Sequence, residues 1–119
     1  MPYILELPKF SDKSGDLTVL EKIIPFDIKR IYFLHNIQDK RGGHRHKKCF
    51  QALISLGGRC DIYVNDGENE KVFHLDRPEM CLILNPNDWH TMDNFSTGVF
   101  LLVIASEFYD IDDYIDEEY

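Results

Sequence analysis

The chain has 119 residues and a mass of 14.0 kDa, 44% hydrophobic and 29% charged, which fits one globular domain over residues 1–119 with enough length to bury a core. The 13 Lys+Arg against 21 Asp+Glu give a formal net charge of -8, which speaks against nucleic acid as a partner because such partners are met by basic patches. There is no apolar run of about 18 residues to span a membrane and no basic, apolar and small-residue pattern of a signal peptide in MPYILELPKF. Cys49, Cys60 and Cys81 are odd in number and form no C-x-x-C pair, so the expectation is reduced thiols and a cytoplasmic protein.

In chain order, residues 29–34 (KRIYFL) read as a strand, and 36–43 as a polar, glycine-containing loop. Residues 49–56 form a second strand ended by Gly57-Gly58, and 60–64 alternate apolar and polar residues. Asn65-Asp66-Gly67 is a hairpin signal. Strands follow at 72–75 and 80–84, broken by Asn85-Pro86-Asn87-Asp88. The run VFLLVIA at 99–105 is continuous and apolar, as in a strand buried on both faces. Phe108, Ile111 and Ile115 stand at i, i+3 and i+7, which predicts a short C-terminal helix packing those three side chains with its acids in water. Turn signals every 8–12 residues predict an all-β sandwich or barrel.

Charge is unevenly spread. Residues 106–119 hold seven acids and no base, leaving 13 bases and 14 acids in the first 105 residues. Lys40, Arg41, Arg45, Lys47 and Lys48 cluster within nine positions. A small anionic ligand is therefore compatible with this chain.

The densest chemistry is Arg41-Gly42-Gly43-His44-Arg45-His46-Lys47. If extended, His44 and His46 project to one face about 6.6–7 Å apart, a spacing that suits one metal ion or an acid and a base flanking one small substrate. Gln51 has the opposite parity, so an uninterrupted strand would need a bulge to bring it to their face. Lys47 and Lys48 alternate, so one at most faces the site.

His44-x-His46-x4-Gln51-x5-Gly57 and Pro86-x-Asp88-Trp89-His90-x3-Asn94 resemble the two motifs of the cupin superfamily, which implies a jelly-roll, double-stranded β-barrel. Gln51 stands where metal-binding cupins have a glutamate, Asp88 replaces a glycine, and His90 comes one residue early. Losing the carboxylate weakens a divalent-cation site, so no metal is expected, and the closer resemblance that follows implies no other cofactor.

A closer resemblance covers nearly the whole chain. SDKSGDL at 11–17, RGGHRHK at 41–47, NDG at 65–67, WHTM at 89–92 and EFYDIDDYI at 107–115 are similar to the sugar-nucleotide 3,4-ketoisomerases. The resemblance implies a dTDP-linked 4-keto-6-deoxyglucose substrate, a metal-independent proton transfer through an enediol, and supply of 3-amino sugars for bacterial surface glycans. It implies His46 as base at C3, His44 shuttling or polarising at the oxygens, and Tyr32 hydrogen-bonding the hexose. Arg41 is then a diphosphate ligand, with Lys13 standing in for an arginine that the family often has at Ser14. His90, Gln51, Trp89 and Lys47 are further substrate-binding candidates. Trp-His rather than Trp-Arg at 89–90 points to the galacto-configured product. The family also implies a homodimer with exchanged N-terminal strands. A 3,5-epimerase, a metal-dependent cupin oxygenase using His44, His46 and His90, and a non-catalytic sugar-nucleotide binder are the alternatives. His35 and His74 are expected at the surface, and the three cysteines as small buried hydrophobes.

Overall fold

The computed structural model describes all 119 residues and contains twelve strands. In order they are β1 (Tyr3–Glu6), β2 (Lys9–Asp12), β3 (Gly15–Thr18), β4 (Arg30–Leu34), β5 (Arg41–His46), β6 (Gln51–Leu56), β7 (Cys60–Asn65), β8 (Glu70–Leu75), β9 (Met80–Leu84), β10 (Trp89–Asp93), β11 (Phe100–Ala105) and β12 (Tyr114–Ile115). Two antiparallel five-stranded sheets, β1-β9-β6-β11-β4 and β12-β5-β10-β7-β8, pack face to face, and β2-β3 forms a separate hairpin. This is the double-sheet, all-β architecture that the punctuation of the sequence predicts.

Alternation within each strand decides what lies between the sheets. Leu53, Leu82, Leu84, Leu101 and Val103 of the first sheet meet Cys60, Ile62, Val64, Phe73, Leu75 and Met92 of the second in one core cluster. The opposite face of the first sheet is buried too. Ala52, Ile54, Cys81, Ile83 and Ile104 lie under Leu7, with Leu5, Ile23, Ile24 and Phe26 of the N-terminal segment packed against them. Double coverage explains why β11 and β9 read as continuous apolar runs. All three cysteines are buried and free.

The hairpin β2-β3 stands off the body. Phe10 and Leu17, register partners across it, remain 64% and 58% exposed, and the molecule measures 47 × 31 × 26 Å. Isolated two-stranded hairpins are marginally stable in water.

Two regions depart from the sequence reading. The segment expected to be loop up to Gly43 is already strand from Arg41, with Gly42 and Gly43 at φ of +87° and +83°. The register against β10 slips there, His90 facing His44 while Thr91 faces Gly42. A Cβ on Gly42 would stand 2.9 Å from the carbonyl oxygen of His90, so the glycine permits both the left-handed backbone and the close approach.

The C-terminal tail is the second correction. It holds only a 3-10 turn, Ile111–Asp113, followed by β12 on the edge of β5. Phe108 and Ile111 are 70% and 66% exposed rather than packed. A three-position apolar pattern is too short to sustain a helix alone, whereas β5 offers an unpaired backbone edge that the tail satisfies. Nor do all its acids face water: Asp113 is 5% exposed, and Glu118 accepts hydrogen bonds from Tyr63 and Asn65.

Candidate active site

One end of the space between the sheets is polar. His44 and His46 of β5 and His90 of β10 project there, with ring centroids 5.1 Å apart for His44–His46, 4.9 Å for His44–His90 and 6.3 Å for His46–His90. Tyr114 of β12 packs on both His44 and His46, at 4.8 and 4.5 Å. The first sheet contributes Arg30 and Tyr32 from β4 and Gln51 from the start of β6. Arg30, Tyr32, Leu34, Arg41, Gly42, His44, Met92, Tyr109 and Tyr114 enclose a cavity of about 210 Å³. His46 and His90 are 3% and 1% exposed and lie behind His44 and Tyr114.

Gln51 reaches this interior without a bulge. β5 ends at His46, residues 47–50 cross to the other sheet, and Gln51 faces inward from there. Parity along a single strand therefore does not apply. Its Nε2 donates to Tyr32 Oη at 3.1 Å, leaving the phenol its own proton to donate. Burial pushes the Tyr32 pKa up to about 12, so the hydroxyl stays protonated at neutral pH.

Each buried imidazole has an assigned tautomer. His46 Nδ1–H donates to Asp113 Oδ2 at 2.9 Å, and the other carboxylate oxygen accepts from Lys48 N at 2.9 Å. His90 Nδ1–H donates to the Asp88 carbonyl at 3.0 Å. Both Nε2 atoms are buried without a hydrogen-bond partner, which leaves two basic lone pairs unspent. Desolvation dominates their titration: His44 is lowered to about 4 with help from the charge of His46, and His90 to about 3 with help from His44. His46 is lowered as well, by burial first, while the Asp113 hydrogen bond and charge pull it back up. All three are neutral at pH 7.

The structure brings together His44, His46, His90, Tyr32, Gln51 and Arg41. It separates three other candidates from the cavity. Trp89 alternates with His90 and lies on the outer face of its sheet, beside a groove lined by Tyr63, Asp61 and Asn94. Lys47 is exposed, its backbone N–H donating to the Asp113 carbonyl. Lys13 sits at the tip of the free-standing hairpin. Sequence reading gave no role to Asp113, Tyr114 or Arg30. Asp113 and Tyr114 lay in the EFYDIDDYI segment that carries the resemblance but read locally as part of a helix-like tail, and Arg30 as a charge at a strand end.

Asp88, where cupins carry glycine, is 4% exposed and accepts from Asn85 N at 2.7 Å, closing the turn before β10. The best-placed set of metal donors is His46, Cys49 and Asp113, whose ligand atoms lie within 4.8 Å of one another. His46 Nδ1 and both Asp113 oxygens are already committed to hydrogen bonds, so this set fits the dyad better than an ion. Gln51 spends its amide on Tyr32.

Residues 2–119 match the family model described as FdtA: WxcM-like, C-terminal. The TDP-4-oxo-6-deoxy-alpha-D-glucose-3,4-oxoisomerase of Aneurinibacillus thermoaerophilus is 38% identical over 116 residues, 94% of this chain and 84% of that protein. The crystal structure of a 3,4-ketoisomerase from Helicobacter canadensis superposes with a TM-score of 0.92 at 43% identity, covering 98% and 90% of the two chains. QdtA, a sugar 3,4-ketoisomerase from Thermoanaerobacterium thermosaccharolyticum solved with TDP, gives 0.92 at 42% identity, covering 98% and 88%. The 3,5-epimerase RmlC of Legionella pneumophila shares the barrel, with a TM-score of 0.83 over 99% of this chain and 73% of that one, at only 13% identity. The cupin-like fold and the family are thus shown together, and the chain belongs to the FdtA family, whose matched relatives are 3,4-ketoisomerases.

Proposed function

We propose that the protein isomerises a TDP-linked 4-keto-6-deoxyglucose to its 3-keto isomer without a metal or nicotinamide. The observation that carries the mechanism is the buried His46–Asp113 pair, which fixes a neutral imidazole with its Nε2 lone pair free beside a phenol that can donate. The substrate's C4 carbonyl acidifies C3–H. His46 Nε2 takes that proton, the electrons form C3=C4, and negative charge develops on O4 within reach of the Tyr32 hydroxyl. Return of a proton to C4 and loss of the O3 proton complete the isomerisation. His44, which lines the cavity, carries the proton between the two oxygens. C–H and O–H bonds are each broken once and formed once, so no oxidant is consumed. Reaching His46 requires Tyr114 to move, and β12, only two residues long, is the kind of element that opens locally.

Arg41 at the cavity edge takes the diphosphate, a bidentate task suited to guanidinium. His90, packed against His44, goes with the galacto-configured product. Two copies pair through their hairpins: the exposed Phe10 and Leu17 need cover, and exchange would carry Lys13 toward the partner's site. The 3-keto product suits an aminotransferase, which places the reaction in the cytoplasm and in the supply of 3-amino sugars for surface glycans such as O-antigen.

Proton NMR in heavy water tests the reading. Incubation with TDP-4-keto-6-deoxyglucose should place deuterium at C4 of a 3-keto product, and the same product formed in light water should show the small H4–H5 coupling of the galacto series. Deuterium at C3 and C5 with the 4-keto group retained would make the protein an epimerase and overturn the proposal.

A further inference from the structure

Arg30 is a cation without an anion. It stands at the start of β4, pairs in register with Ala105, and points inward with Tyr32 two residues on. Its guanidinium carbon lies 4.8 Å from the centroid of the Tyr32 ring and 5.6 Å from that of Tyr109. Every Lys or Arg ion pair in the fold belongs to Lys9, Lys29 or Arg77. Arg30 has none, and its Nε is buried without a hydrogen-bond partner. The buried carboxylate of Asp113 is spent on His46 and the Lys48 amide.

Such a group is unfavourable in the free protein. A guanidinium stays charged at any relevant pH, and even the partial burial of Arg30 without a counter-ion is unfavourable. Aromatic faces recover only part of that loss. The site therefore holds positive charge in waiting, directed at the space between Tyr32 and His44. Its field is felt there: it opposes both the rise of the Tyr32 pKa and the protonation of His46.

We propose that Arg30 is a catalytic residue whose guanidinium binds the sugar oxygen that becomes negative in the enediolate. The inference rests on the isomerase reading above. When C3–H breaks, charge moves to O4, and when O3–H breaks it moves to O3. A planar donor with several N–H groups serves both neighbouring oxygens without moving. Arg41 differs: it is exposed at the edge, where a charge meets the diphosphate equally in substrate and transition state and so acts on KM.

The test compares wild type, Arg30→Met, Arg30→Lys and Arg41→Ala for steady-state turnover of TDP-4-keto-6-deoxyglucose, TDP affinity by calorimetry, and melting temperature. Arg30→Met should lose about 10²- to 10³-fold in kcat while TDP affinity stays within about threefold. It should melt no lower than wild type, because a half-buried charge without a counter-ion has been removed. Added ethylguanidinium should restore about tenfold or more of the lost kcat, ethylammonium less, and Arg30→Lys should fall between. Arg41→Ala should raise KM with kcat little changed. Retained kcat in Arg30→Met, with or without weakened TDP binding, would overturn the proposal in favour of a ground-state or inert role. A lowered melting temperature with no guanidinium rescue would reduce Arg30 to a structural part. A wild-type protein that exchanges no C3 proton would bring down the isomerase reading itself, and that result is visible before any variant is compared.

Discussion

The two ends of the space between the sheets are built on the same alternation, yet they behave oppositely. At one end Leu53, Ile62, Leu75, Leu82 and Leu101 pack in a cluster of apolar side chains, and burial is all gain. At the other, His44, His46, His90, Gln51 and Arg30 are enclosed by the same strands, and Arg30 Nε, His46 Nε2, Gln51 Oε1 and His90 Nε2 find no partner. Unsatisfied buried groups are destabilising; here Arg30 lines the cavity, and Gln51, His46 and His90 touch its lining residues Tyr32 and His44. In the proposed reading one end of the fold serves stability and the other receives the ligand, with the tail supplying Asp113 and Tyr114 as one wall.

The sharpest break in that comparison is His46→Asn. It should lower kcat by about 10²- to 10⁴-fold while TDP affinity and melting temperature stay close to wild type; near-normal turnover would remove His46 from the base role. At the dry end Leu53→Ala should do the reverse, with a loss of about 2–5 kcal/mol in chemical denaturation and unchanged kcat per folded molecule. A loss of activity without a loss of stability would mean the two ends are not separable.

Asp113→Asn tests how the tail serves the polar end. An amide at 113 can donate to Nδ1 and favour the tautomer with its proton on Nε2, so kcat should fall on the order of 10²-fold. Asp113 raises the His46 pKa against the larger lowering by burial. In wild type the acid limb of kcat/KM should therefore lie below the usual histidine value of 6.5, and in the variant it should move to still lower pH. A limb that moves upward would contradict the dyad.

The smallest effect is on stability against pH. His44 and His90 have folded pKa values of about 4 and about 3 against 6.5. Between these values the unfolded chain binds more protons, so stability is full above pH 6.5 and lost as pH falls toward 4. Melting temperatures across that window should decline, and less steeply in His90→Gln.

Strand positions were legible because alternation and turn chemistry are local: 60–64, 80–84 and 99–105 fall within one residue of β7, β9 and β11. Tyr32, His44 and His46 were legible through spacing and resemblance. Gln51 was placed conditionally, because a crossover between sheets leaves no periodic trace. The tail was misread because its three apolar residues suit a helix in isolation, while the open edge of β5 lies 70 residues away in sequence. Trp89 was offered as a ligand beside His90, but adjacent strand residues take opposite faces.

The amino-acid sequence alone determined an all-β domain, a histidine pair bracketed by basic residues, and a negative charge gathered in the last fourteen positions, because each depends on neighbours in the chain. Tertiary structure decided which histidine carries a carboxylate, which phenol keeps a proton to give, and which arginine is left without a partner. Those are contacts across 65 or more residues for Asp113 with Lys48 and His46, and no local pattern encodes the desolvation that makes them matter.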